Sequence, residues 1–125
     1  MTNVEMLKNG RNLLLGLHKS LLDFERSAYE GMHGNTTPGQ FLNLLLEDPE
    51  FAWLRKFSTL IVDIDEMFAQ KDGFAEEAVD VHLTKLRAIV SMEEDDEEFN
   101  ARYQSGLQQN LEAAGIQGEL RTLLA

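Results

Sequence analysis

Phe51–Phe68, FAWLRKFSTLIVDIDEMF, is the longest apolar-rich periodic run in the chain. Set on an α-helix at about 100° per residue, Trp53, Leu54, Phe57, Leu60, Ile61, Ile64, Met67 and Phe68 fall within an arc of roughly 140°. Arg55, Thr59, Asp63, Glu66 and Gln70 fall opposite. A stripe of this width belongs to a helix packed along one side. Asp48-Pro49-Glu50 in front of it supplies a cap, a proline at the first helical position and an acid at the positive end of the helix dipole. The run therefore predicts a central helix that ends near Gln70, with Lys71-Asp72-Gly73 as the turn.

Upstream, Thr37-Pro38-Gly39-Gln40 reads as a capping box with proline at the first position. The helix it opens reaches only Leu46 or Glu47. Phe41, Leu42, Leu44, Leu45 and Leu46 make it apolar almost all round, so it must be wedged against other helices to persist. Residues 4 to 32 predict a long first helix. Leu7, Leu14, Leu17, Leu21, Phe24, Ala28 and Met32 share one face, and Lys19–Asp23 and Arg26–Glu30 form i,i+4 pairs beside it. Gly31, Gly34 and Asn35 end it.

Downstream, residues 74 to 90 predict a further helix. Its apolar face is Ala75, Ala78, Val79, Leu83, Leu86, Ile89 and Val90, with acids in the first turn and bases near the end. Ser91-Met92-Glu93-Glu94 reads as a fresh capping box. The helix it opens would run to Ala114 on a weaker stripe of Phe99, Tyr103, Gly106, Leu107 and Asn110. Gly115 would close it and Glu119–Leu124 would add a short turn or two. No segment alternates as a strand does. The expectation is an all-α, irregular antiparallel four-to-five-helix bundle with a short helix after the first long one, a single domain over residues 1 to 125.

Composition narrows the function classes. With no cysteine among 125 residues, the chain has no disulfide, thiolate ligand or cysteine nucleophile. No apolar run reaches the roughly 18 residues of a membrane span, and no secretory signal is legible. These features predict a soluble cytoplasmic protein. The formal net charge is −11, and nearly all of it lies after residue 60. No cluster of Lys and Arg offers a phosphate-binding surface, so direct nucleic-acid binding is not expected. A basic protein partner is electrostatically easier. Glycine-rich phosphate loops, G-x-S-x-G and HExxH are absent.

The sharpest local signal is polar residues on apolar faces. Relative to Leu14, Glu25 lies at about 20°, His18 at about 40° and Tyr29 at about 60° on the first helix. His82 lies on the apolar side of its helix, and Asp65 sits at the edge of the central stripe. A glutamate inside a core must be paired, bind a metal or hold a proton. One reading is a buried network that fixes helix register, completed by Tyr103 or Asn110. The other is a site. His18, Glu25 and His82, with Asp65, supply the N and O donors of a divalent metal or small-ligand centre. Glu25 would then act as acid–base with a histidine partner. The Glu-x-x-His pair of di-iron bundles is missing. His33 falls in a loop.

Glu93, Glu94, Asp95, Asp96, Glu97 and Glu98 form an unbroken acidic run. It reads as a solvated helix start or as an interaction surface for a basic protein, without the glycine and spacing of a calcium loop. Three function classes fit the whole. The leading one is protein–protein contact, with a different protein or as a homodimer. Leu15, Leu22, Val62, Leu42 and Leu46 are more apolar surface than one core needs. The second is the metal or ligand site at His18, Glu25 and His82. The third is a transcriptional regulator built on helix-turn-helix, which the charge opposes.

Overall fold

Thr2 opens the first helix. Its hydroxyl accepts from the Glu5 N–H while the Glu5 carboxylate accepts from the Thr2 N–H, a capping box written in the sequence as Thr-x-x-Glu. The computed structural model, which describes residues Met1–Ala125, carries this helix, α1, from Asn3 to His33. Gly34 closes it at φ 88°, a conformation that suits a residue without a Cβ, and gives its N–H to the Glu30 carbonyl. Thr36 then fixes the exit. Its N–H and hydroxyl donate to the Glu30 carboxylate, and Arg26 donates to its carbonyl.

The short helix α2, Pro38–Glu47, forms on the expected box: Thr37 Oγ1 accepts from Gln40 N–H and Gln40 Oε1 accepts from Thr37 N–H. The central run is divided. Pro49–Leu54 is a 3-10 helix and only Arg55–Phe68 is α-helical, here α3. The reason is that its first aromatics serve different neighbours. Phe51 packs edge-on to Phe41 at 5.6 Å and to Tyr29 at 6.0 Å, whereas Trp53 turns to Phe57 at 6.2 Å. At about 120° per residue the tighter winding sets Phe51 and Trp53 about 120° apart around the axis, against about 160° in an α-helix. Helix α4 covers Glu76–Val90, two residues later than expected, with Gly73 at φ 82° in the preceding turn.

The single helix expected over 91 to 114 does not form. Ser91–Asp96 is a loop with Met92 at φ 58°, α5 covers Glu97–Gln109, and α6 covers Leu111–Leu124. Asp96, not Ser91, is the cap and accepts from Phe99 N–H. Asn100 Nδ2 donates to the carbonyls of Met92 and Glu94 and holds the loop in place. Six adjacent acids would also repel inside a helix. Gly115, expected as a terminator, lies inside α6.

The result is all-α, an irregular bundle without strands, with six α-helices and one 3-10 helix. Twenty-three buried hydrophobic residues form one continuous cluster, from Leu7 on α1 to Leu124 on α6. The most extensive pairing is α1 with α6; α3 and α4 also flank α1. Gly10 sets the approach of α1 to α4, since a Cβ there would stand 2.7 Å from Leu86 Cδ2. No helix is long and apolar enough to cross a membrane.

Candidate functional site

The α1 stripe fixes direction but not depth. Its buried positions are Leu7, Gly10, Leu14, Leu17, Ser20 and Leu21, and none follows Leu21. Glu25 points to the core side one turn beyond the last buried position and is only half-buried. Burial raises its pKa, the Arg102 charge opposes the rise and Glu50 adds to it. Arg102 itself donates to the Glu50 carboxylate at 2.9 Å. Glu25 thus faces a salt bridge rather than joining one.

The other expected site residues lie apart. His18 is half-buried beside Phe57, ring centroids 6.3 Å apart, and burial lowers its pKa. His82 on α4 is spent locally: its Nδ1 lies 2.6 Å from the Ala78 carbonyl, which places the proton on Nδ1 as donor. Tyr29 stacks on His33 at 4.4 Å. Asp65, expected as the acid nearest the core on its helix, is exposed instead and takes a two-pronged bond from Arg11, 2.9 Å to Nε and 2.8 Å to Nη2. His18 and Glu25 are separated by about 10 Å of helix rise, against ligand distances of about 2 Å at a metal. No three His, Asp or Glu side chains come together in a way that could hold a metal ion. His18, Glu25 and His82 do not converge.

The network expected around Glu25 is also absent. Asn110 Nδ2 donates to the Ser20 carbonyl at 3.2 Å and to its hydroxyl at 3.1 Å, while Asn110 Oδ1 accepts from Ala113 N–H and caps α6. Asn110 is the structural residue that the helical reading missed. The signal was an asparagine followed by a fresh amphipathic run, a cap rather than a stripe position. Tyr103 is buried beside Phe57 and Phe99, its hydroxyl finds no hydrogen bond, and burial pushes its pKa far up.

Two acids of the run, Glu94 and Asp96, are occupied internally. Lys56 Nζ bonds Glu94 at 2.6 Å and Asp96 at 3.0 Å, which raises the lysine pKa. Phe99 N–H and Lys56 together lower that of Asp96. Glu93, Asp95, Glu97 and Glu98 face solvent, the last two in the first turn of α5 where the dipole suits them.

What remains without a partner is apolar. Leu42 is 56% exposed, Leu46 54%, Val62 51% and Leu15 43%; Val81 on α4 and Leu111 on α6 are exposed too, at 50% and 91%. Leu22, grouped with the first four in sequence, is partly buried against the core. The antiparallel register of α1 and α3, pinned by Arg11–Asp65 and His18–Phe57, sets Leu15 level with Val62. On α2, Leu42 and Leu46 stand one turn apart. Nearby, a cleft of about 800 Å³ opens between the end of α1 and α2, lined among others by Tyr29, Asn43, Leu44, Glu47 and Asp48.

His18 and Glu25, both shifted by burial, give opposite pH signatures. The folded-state pKa of His18 is depressed, so the unfolded chain binds its proton first. Its share of stability is complete above about pH 6.5 and falls as pH drops below that value. Glu25 is the reverse. Its folded pKa is raised, so its ionised form penalises the fold at neutral pH and the penalty fades on acidification. Thermal melts of Glu25→Gln are expected to run above wild type at pH 7 and to merge with it at pH 4. His18→Leu is expected to flatten the decline between pH 7 and pH 5. Parallel curves for all three proteins would refute both assignments. No protein-family model, no curated protein and no solved structure matches this chain.

Proposed function

We propose that this chain is a cytoplasmic helical protein that works by binding another protein chain. The observation that carries the reading is the exposure of Leu42, Leu46, Val62 and Leu15 on α1, α2 and α3. Fully burying an exposed side chain of this kind is worth about 1.5–3 kcal/mol, and with each already about half covered the four would gain roughly half of that apiece. The bond of His82 to its own helix and that of Asp65 to Arg11 support a structural reading of these two groups.

Photo-crosslinking in cells tests the reading. A photoreactive amino acid at Leu42 or Val62 is expected to give discrete adducts, and one at Glu119 on α6 is expected to give none. Equal, diffuse labelling from all three positions would refute it. Sedimentation at about 100 μM identifies adducts with a second copy, since a pair stable enough to form in cells is associated at that concentration.

A further inference from the structure

The electrostatics of α2 are wrong for a helix that stands at the surface alone. Its last turn carries no base, and Glu47 lies at the negative end of the helix dipole. Asp48 follows directly. Of the last carbonyls, that of Leu44 accepts from Asp48 N–H and that of Leu46 from the Arg55 guanidinium, so Arg55 is already engaged. Arg102 is engaged by Glu50. The Asp48 carboxylate is engaged as well, accepting from Glu50 N–H as the cap of the 3-10 helix, which leaves Glu47 as the carboxylate at this end without a salt bridge. The exposed side of α2 has two edges. Leu42 and Leu46 form one, and Asn43 and Glu47 lie about 100° round the axis on the other, at the mouth of the cleft.

We infer that α2 seats a basic amphipathic helical segment of a different protein, its apolar side chains on the Leu42–Leu46 edge and a Lys or Arg in the cleft at Glu47. This rests on the protein-binding reading above and names its occupant. The charge selects that occupant over a second copy, because two copies would bring −11 against −11. A cation from the partner would complete the end of α2, and the ring of Tyr29 lies on the same cleft wall.

The test uses the intact protein and a synthetic 16-residue peptide with Leu at i, i+3, i+4 and i+7 and Lys elsewhere. A second peptide replaces every Lys with Glu. Binding is read by fluorescence anisotropy at about 50 mM and about 300 mM salt, on either side of the physiological screening regime. The lysine peptide is expected to bind, more tightly at low salt, and the glutamate peptide is not. Joint substitution Leu42→Ser and Leu46→Ser is expected to weaken binding about tenfold or more. Glu47→Lys is expected to weaken it several-fold. That variant adds the cation the helix end lacks, so its fold is held or strengthened and a loss of affinity is not a loss of structure. Equal binding by wild type and variants would show attraction to bulk charge only and overturn the inference. So would equal binding of the glutamate peptide. A dimer in sedimentation that the double serine variant abolishes would overturn the occupant while leaving the face an interface. Absence of crosslinks from Leu42 and Val62 is the separate result that removes the broader reading.

Discussion

Phe57→Ala is expected to lower the unfolding free energy by about 3–5 kcal/mol, a large share of the about 5–15 kcal/mol available to a domain. Phe57 is fully buried where α3 meets its neighbours. Its ring lies 5.2 Å from Tyr103, 5.4 Å from Phe99, 6.2 Å from Trp53 and 6.3 Å from His18. Four elements converge on that ring: α1, the 3-10 helix, α3 and α5. Truncation removes the transfer energy of the ring and leaves a cavity whose walls are rigid aromatics, which collapse poorly. Phe57→Leu keeps most of the volume and is expected to cost about 1–2 kcal/mol. Urea unfolding followed by circular dichroism measures both. A loss below about 1 kcal/mol for the alanine variant would mean that the cluster is not the centre of the fold.

The second large effect is expected at Asn110, which does two jobs with one amide. As the α6 cap it is worth about 1 kcal/mol, and its bonds to the Ser20 carbonyl and hydroxyl add about 1 kcal/mol each. Asn110→Ala is therefore expected to cost about 2–3 kcal/mol, and Asn110→Ser, which can still cap, about half of that. Amide exchange localises the damage. In the alanine variant Ala113 N–H loses the acceptor it has in Asn110 Oδ1, so its protection is expected to fall first. Equal losses for the two variants would show that the Ser20 bonds dominate and the cap contributes little.

These two residues mark the limits of what periodicity could reveal. Phe57 was legible because its neighbours at i±3 and i±4 repeat the stripe. Asn110 was not, because an asparagine at a stripe angle reads as a polar intrusion when it is the point where one helix stops and another starts. At φ −136° it breaks the helix outright. The capping box at Thr37 was legible as short-range chemistry, but the one at Thr2 went unread, and the same pattern at Ser91 misled, because Asp96 is the cap there. The placement of Glu25 shows a different gap. Its wheel angle was right, but α1 outruns the helices that bury its first two-thirds, and the angle around an axis says nothing of what packs at that height. Asp65 at the stripe edge could turn either way, and an arginine on α1 decided it. The exposed leucines were legible as an excess over one core. Their distribution between α1, α2 and α3 needed the register of the helices.

The pairing of α1 with α6 has a consequence for synthesis. Helix α1 has its most extensive partner in α6, with roughly 80 residues between them. At translation rates of about 5–20 residues per second, α1 waits roughly 4–16 s after it is complete before α6 begins to appear. During that interval α1 lacks the most extensive of the surfaces that cover it. The nascent chain is therefore a natural client for a holding chaperone, and native closure waits for α6.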